Sequence, residues 1–218
     1  MFDIGGVVIG AGLERYLERA QKLFGSDEPM KRELVARVRD LEMGRMTSFE
    51  FWDGIGQTLL RAGEGRRPRP RHFQNLWRNL MLDSLAPNRP LLWLCQAIAR
   101  NGLIVGAVSN TIQDHAEILI EKGIYVPFDP CVLSCVVGMR KPDPEMFKLA
   151  ARQARVSPYQ CIMVDDNADN LPAAASIGMV THHYRDVNRL AQALKGHKLI
   201  TPLQMRRFQE VSAAEGLL

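Results

Sequence analysis

Two adjacent aspartates, Asp165 and Asp166, follow directly on the short apolar run Cys161–Val164. A run of this length and composition predicts a buried strand, so both carboxylates stand at a strand end where hydration is reduced. A hard divalent cation, which prefers oxygen ligands, would offset their mutual repulsion. Aspartate at this place could instead cap the helix that follows. The doublet, together with ionic residues at other strand ends, favours a metal site.

Further polar side chains stand at, or a few residues beyond, the carboxyl ends of other apolar runs: Asp3, Ser109, Asn110 and Lys141. In an open parallel sheet these ends converge on one crevice, which is the usual ligand site. The collection suits the handling of a phosphoryl group with a cation. In this interpretation Asp3 attacks phosphorus, the hydroxyl and amide donate hydrogen bonds, and the ammonium offsets negative charge.

The elements that must position these residues change character along the chain. From residue 13 to about residue 80 the apolar residues recur with a helical period, and one predicted helix has Leu34, Val35, Val38 and Leu41 as its inner face. From Pro87 onward, helices alternate with strands, which implies parallel pairing through right-handed crossovers. We therefore predict an α/β fold with a Rossmann-like parallel sheet core and an inserted all-helical cap. The core takes residues 1–10 and 86–200, the cap takes 11–85, and 201–218 form a tail that is expected to be partly loose.

The predicted strands are short. They cover Leu103–Val108, Cys131–Val137, Cys161–Val164 and Met179–Thr181. The first strand is a special case, because only Met1 and Phe2 precede Asp3 and a buried strand normally needs about five residues. Either this strand is stunted or the natural N-terminus extends further.

Composition narrows the class of protein. Hydrophobic residues make up 46% and charged residues 24% of 218 residues, as in ordinary globular chains, and no apolar run approaches the ~20 residues that cross a bilayer. Four cysteines without CxxC pairs indicate reduced core thiols and a cytoplasmic protein. The net charge of +4 comes partly from Arg66–His72, where prolines and the absence of interleaved aromatics favour a solvated loop over a nucleic-acid site. We expect no membrane partner and leave the oligomeric state open.

The chain resembles the haloacid dehalogenase-like (HAD) hydrolase superfamily in four ordered motifs. These are Phe2–Val7, Val108–Thr111, Gly138–Pro144 and Val164–Asn170, each following its predicted strand. The resemblance extends over all but the last ~20 residues. The helical block between the first two motifs is similar to the type 1 cap of that superfamily.

The resemblance implies a role for each matching residue. Asp3 would be the nucleophile that forms an aspartyl-phosphate, and Asp3, the Gly5 carbonyl and Asp166 would hold Mg²⁺. Ser109 and Lys141 would bind the transferring phosphoryl group, with Asn110 assisting. Asp165 and Asn170 would support the water shell of the metal. The implied substrate is a small phosphorylated metabolite, such as a sugar phosphate.

One position departs from the pattern. Most phosphatases of this superfamily carry a second aspartate two residues after the nucleophile, and here that residue is Gly5. Glycine cannot protonate a leaving alkoxide or activate water, a form of help typically worth about 10²–10⁴ in rate. An alternative is therefore a catalytically weakened relative that binds phosphate compounds or a protein partner. A phosphoacceptor signalling domain is disfavoured because its acidic pair would precede the acceptor. The dehalogenase branch is also disfavoured, because it usually lacks the carboxylate pair.

Overall fold

The computed structural model describes residues 1–10, 28–61 and 75–216. The inserted segment contains three described helices, α1 (Glu28–Glu42), α2 (Ser48–Arg61) and α3 (Leu76–Ser84). Predictions made for residues 13–24 and for the Arg66–His72 loop lie outside the described residues. The following part alternates helices and strands, with these bounds: α4 (Arg89–Arg100), β1 (Ala107–Ser109), α5 (Gln113–Glu121), β2 (Cys131–Leu133), α6 (Ser134–Val137), α7 (Pro144–Gln153), β3 (Ile162–Asp165), α8 (Leu171–Ser176), β4 (Val180–His183), α9 (Val187–Gly196) and α10 (Pro202–Ala214).

The strands are parallel and pair in two neighbouring couples. Ala107 of β1 pairs with Cys131 of β2, and Ile162 of β3 pairs with Val180 of β4. Phe2 bridges the two couples, since it forms parallel bridges with both Ala107 and Val164. The spatial order is therefore β2, β1, Phe2, β3, β4. This arrangement confirms the predicted α/β class with a Rossmann-like parallel core.

The first residues of the chain occupy the centre of the sheet although they form no extended strand. The Phe2 N–H donates to the Gly106 carbonyl at 2.8 Å, and the Asp3 N–H donates to the Val164 carbonyl at 2.8 Å. The Val108 N–H in turn donates to the Phe2 carbonyl at 2.9 Å. Backbone bonds to both neighbours thus fix Asp3 at the carboxyl end of the sheet.

Helices of the insertion share one apolar core with the sheet. Leu34, Val38 and Leu41 of α1 are buried in the same cluster as Phe2 and Val164. Val35, predicted on that inner face, is 43% exposed. The inner face follows the spacing 34, 38 and 41, and residue 35 is rotated about 100° from residue 34 on the helix.

Three further local predictions were wrong. The segment predicted as a strand over Leu103–Val108 is a strand only from Ala107, and this strand ends at Ser109. The run Cys131–Val137 is not one strand, because β2 ends at Leu133 and Ser134–Val137 form the short helix α6. The expectation of a partly loose tail is also wrong for Pro202–Ala214, which form α10. Thr201 and Gln204 form a capping box at the start of this helix, and Met205 and Phe208 are buried on its inner face. The boundaries of the predicted domains stay a prediction.

The expectations from composition concern the cysteines and the helices. All four cysteines are free, with Cys95 and Cys161 buried and the other two half-buried. Within the described ranges, no helix has both the length and the apolar character needed to cross a membrane.

Candidate active site

The carboxyl ends of the parallel strands bring the predicted site residues from distant parts of the sequence to one edge. Asp3 follows Phe2 at the centre, Ser109 ends β1 and Asp165 ends β3. Lys141 lies in the loop between α6 and α7 and reaches the same place. The juxtaposition follows from the parallel topology, as expected from the sequence.

A buried ammonium joins two of the carboxylates. Lys141 Nζ lies 2.8 Å from Asp3 Oδ1 and 2.7 Å from Asp165 Oδ2. The side chains of Lys141 and Asp165 are 1% and 0% exposed, whereas that of Asp3 is 13% exposed. Asp3 is therefore the member of this trio that keeps an opening toward solvent, as a residue that meets a substrate must.

Burial and neighbouring charge shift the proton affinities in this trio. Burial raises the pKa of Asp3 to about 7, opposed by Lys141 and reinforced by the charge of Asp165. Burial alone would lower the pKa of Lys141, but Asp3 and Asp165 together raise it. Lys141 therefore stays an ammonium, and the ionised form of Asp3 needs more positive charge than Lys141 supplies.

The Asp165 carboxylate accepts several hydrogen bonds. Its oxygens accept from the Asn167 N–H at 2.9 Å and from the Asn170 side-chain amide at 3.1 Å each, besides the bond from Lys141. A buried carboxylate so fully bonded is rigid. Asp165 is thus placed to hold Lys141 and Asn170 in position, which fits the supporting role predicted for it.

Asp166 and Gly6 make an unusually close approach. Gly6 has a φ of +79°, and a Cβ on it would stand 2.0 Å from Asp166 Oδ2. The missing side chain therefore leaves the space in which the exposed carboxylate of Asp166 lies. The His183 ring, on β4, forms a hydrogen bond with the backbone of Asp166: its Nε2 atom lies 3.0 Å from the Asp166 carbonyl oxygen.

The carboxylates fit a metal ion. Ligand oxygens of Asp3, Asp165 and Asp166 all lie within 4.8 Å of one another, the one such group among the described residues. With all three carboxylates ionised, the Lys141 ammonium leaves two negative charges, which a dication balances. Oxygen donors of this kind suit Mg²⁺ or Ca²⁺ rather than a softer metal.

The loop after β1 is fastened to the Lys141 loop. The Asn110 side-chain amide donates to the Lys141 carbonyl at 3.0 Å, and its oxygen accepts from the Lys141 N–H at 2.7 Å. Asn110 therefore positions the Lys141 backbone. Ser134 fixes the same loop from the other side, because its hydroxyl accepts from the Thr111 N–H and donates to the Thr111 carbonyl.

Sequence reasoning missed three contributors, Gly6, Ser134 and His183. The Gly-Gly pair after Asp3 carried a usable signal, because glycine beside a chemistry-bearing residue often marks a close backbone approach. Ser134 was hidden inside an expected strand. For His183, the sequence contains nothing that directs the ring to Asp166.

Comparison with known proteins identifies the family. The family model described as haloacid dehalogenase-like hydrolase matches residues 1–178. A wild-type HAD family enzyme of Bacteroides thetaiotaomicron, solved in complex with magnesium and inorganic phosphate, superposes with a TM-score of 0.64 at 26% identity, covering 87% of this chain and 96% of that one. The chain belongs to the haloacid dehalogenase-like hydrolases.

Curated relatives share less of their length. The chain is 32% identical over 124 residues to bifunctional epoxide hydrolase 2 of Rattus norvegicus, a match that covers 54% of this chain and 22% of the relative. It is 25% identical over 182 residues to beta-phosphoglucomutase of Bacillus subtilis, covering 82% and 79% of the two chains. The chain thus spans about a fifth of the epoxide hydrolase relatives that it matches.

Proposed function

We propose that this protein is a Mg²⁺-dependent phosphomonoester hydrolase that acts on a small phosphorylated metabolite, such as a sugar phosphate. The observation that supports it best is the row formed by Asp3, Lys141 and Asp165, with Asp166 alongside. The structural relative that was solved with magnesium and inorganic phosphate supports the same chemistry.

In the proposed reaction, a carboxylate oxygen of Asp3 attacks phosphorus and the bond from phosphorus to the ester oxygen breaks. The products are an aspartyl-phosphate on Asp3 and an alkoxide, which takes a proton from solvent water as it leaves. Water then attacks the aspartyl-phosphate, which releases inorganic phosphate and restores the carboxylate. The Lys141 ammonium lies 2.8 Å from Asp3 and is placed to offset charge on the phosphoryl oxygens, with Ser109 as a hydrogen-bond donor.

Asp3, Asp166 and the Gly5 carbonyl would hold the ion, while Asp165 and Asn170 support the site from behind. Bound Mg²⁺ would supply charge neutralisation at the phosphoryl oxygens and at the attacking carboxylate. It would also keep Asp3 ionised, which burial otherwise opposes.

Gly5 favours a second candidate function. A relative that binds phosphate compounds with slow or no turnover would need the same phosphate-binding side chains. It would not need an acid two residues after Asp3. The two candidates differ only in whether the leaving group departs. A good leaving group, which needs little protonation, therefore separates them.

The test is hydrolysis of p-nitrophenyl phosphate and of a panel of phosphorylated metabolites, with and without Mg²⁺. We expect Mg²⁺-dependent turnover that Asp3→Asn abolishes. Asp129 is exposed and lies just before the amino end of β2, away from the carboxyl ends of the strands, so Asp129→Asn should behave like the wild type. Turnover that survives Asp3→Asn would refute the nucleophile. Binding of Mg²⁺ and phosphate without any turnover would support the second candidate.

A further inference from the structure

An ion pair joins the insertion to the loop that carries Lys141. Glu42, the last residue of α1, accepts a hydrogen bond at Oε2 from Arg140 Nε at 2.8 Å. Only 7% of the Glu42 side chain and 31% of the Arg140 side chain are exposed. The two residues are 98 positions apart, so this contact is tertiary rather than local.

A nearby pair shows how an ordinary surface contact differs. Asp40 lies on the same helix and meets Arg45 at 3.3 Å, but these side chains are 43% and 62% exposed. Exposed pairs of this kind typically contribute little to stability, because water and salt screen them. In the pair of Glu42 and Arg140, by contrast, the carboxylate is buried and the guanidinium is half-buried, so water screens the pair less.

A second contact holds the same end of α1 against the core. Gly44 adopts a φ of +65°, and a Cβ on it would stand 2.3 Å from the Cys135 carbonyl oxygen. The turn after α1 therefore lies directly on α6. The loop that follows α6 is the one that contains Arg140 and Lys141.

The ion pair acts on a lysine that tolerates little displacement. Arg140 directly precedes Lys141, whose ammonium must lie between Asp3 and Asp165. Asn110 fixes the Lys141 backbone from the β1 side. Glu42 supplies a further contact, from the insertion, through Arg140. Burial raises the pKa of Glu42, while Arg140 first and Lys141 more weakly oppose that shift, so the pair lies within electrostatic reach of the lysine.

We propose that Glu42 is a positioning residue: by anchoring Arg140 it fixes the Gly138–Asp143 loop and with it the ammonium of Lys141. The proposal rests on the proposed function, because the lysine is taken to bind the transferring phosphoryl group. If Glu42 has this role, the lysine is correctly placed only while the insertion contacts the loop through Glu42 and Arg140. Displacements of about 1 Å in such groups can lower rates by about 10²-fold.

The test compares Glu42→Gln, Arg140→Gln and the double variant with Asp40→Asn as the matched control on the same helix. Hydrolysis of p-nitrophenyl phosphate should lose about 10-fold or more in kcat/KM for each single variant, mainly in kcat, because the lysine acts most strongly on the transition state. The double variant should be no slower than the slower single variant. Glu42→Asp, which keeps the charge, should recover part of the rate, and Asp40→Asn should match the wild type.

Hydrogen exchange provides a readout that does not need turnover. In Glu42→Gln we expect faster exchange confined to residues 138–143, including the Lys141 amide held by Asn110. Unchanged exchange and kcat/KM in Glu42→Gln would overturn the proposal. So would faster exchange spread evenly over the molecule, which would make the pair merely stabilising. A wild-type protein without turnover would refute the proposed function, while local exchange would still decide whether Glu42 fixes the loop.

Discussion

A Cβ atom on Gly6 would stand 2.0 Å from Asp166 Oδ2, so residue 6 and the exposed carboxylate of the doublet compete for the same space. The backbone at Gly6, with a φ of +79°, brings the loop after Asp3 into this contact. The shape of the proposed metal site thus depends on an absent side chain as much as on the carboxylates.

Gly6→Ala should displace Asp166 and weaken Mg²⁺ binding by about 10-fold or more, in the range found when groups that orient a ligand are removed. Calorimetric titration of the metal-free protein measures this. The control is Gly102→Ala, which has a similar φ of +78° but no atom within 4 Å of the new Cβ. Both variants carry backbone strain of about 1–2 kcal/mol. Equal Mg²⁺ affinity in the two would contradict the proposed place of Asp166.

Lys141→Met should strongly destabilise the metal-free protein, because it leaves Asp3 and Asp165 buried without their counter-ion. Breaking a buried ion pair from one side typically costs about 3–5 kcal/mol. Urea unfolding at pH 8 measures the free energy of unfolding. Lys148→Met removes an exposed pair with Glu145, whose side chains are 43% and 51% exposed, and should change stability by less than ~1 kcal/mol. Similar losses in the two variants would argue against the buried trio.

The free energy of unfolding of the metal-free protein should fall between about pH 4 and pH 7. The folded-state pKa of Asp3, raised to about 7, lies above its value of about 4 in an unfolded chain. The unfolded state therefore loses this proton first, so the stabilisation is complete below pH 4 and lost as the pH rises through 7. Asp3→Asn should lack this part of the pH dependence, and saturating Mg²⁺ should suppress it. Identical pH profiles for the wild type and Asp3→Asn would refute the shift.

Gly5→Asp should raise the turnover of alkyl phosphates, because it supplies a carboxyl group two residues after the nucleophile. Gly5 is not among the residues with positive φ, so a side chain there carries no left-handed backbone strain. General acid–base help of this kind is worth about 10²–10⁴ in rate. The gain should be much smaller for p-nitrophenyl phosphate, whose leaving group needs no proton, and it should vanish in the double variant with Asp3→Asn. An equal gain for both substrate types would show that Gly5→Asp acts in another way.

The sequence was sufficient to predict which strand ends would meet, because parallel topology carries Asp3, Ser109 and Asp165 to the same edge without knowledge of any side-chain contact. The family match and the parallel pairing confirm that part of the prediction. The roles of individual residues stay predictions.

The sequence could not predict the bonds between loops. Whether Asn110 faces a substrate or the Lys141 backbone depends on two loop conformations that no periodicity encodes. The contact of Glu42 with Arg140 could not be predicted either, because in the sequence Glu42 is an ordinary charged residue near a helix end. The helix α10 was missed because its apolar face is narrow, with burial concentrated at Met205, Phe208 and Ser212.

The reciprocal bonds between the Asn110 carboxamide and the Lys141 peptide have a consequence for recognition. These bonds couple two segments that belong to different crossovers, so a shift in one is passed to the other. Under the proposed function, this coupled surface would present the same donors to the phosphate group of any substrate. Discrimination among phosphorylated compounds would then have to come from residues outside these two segments.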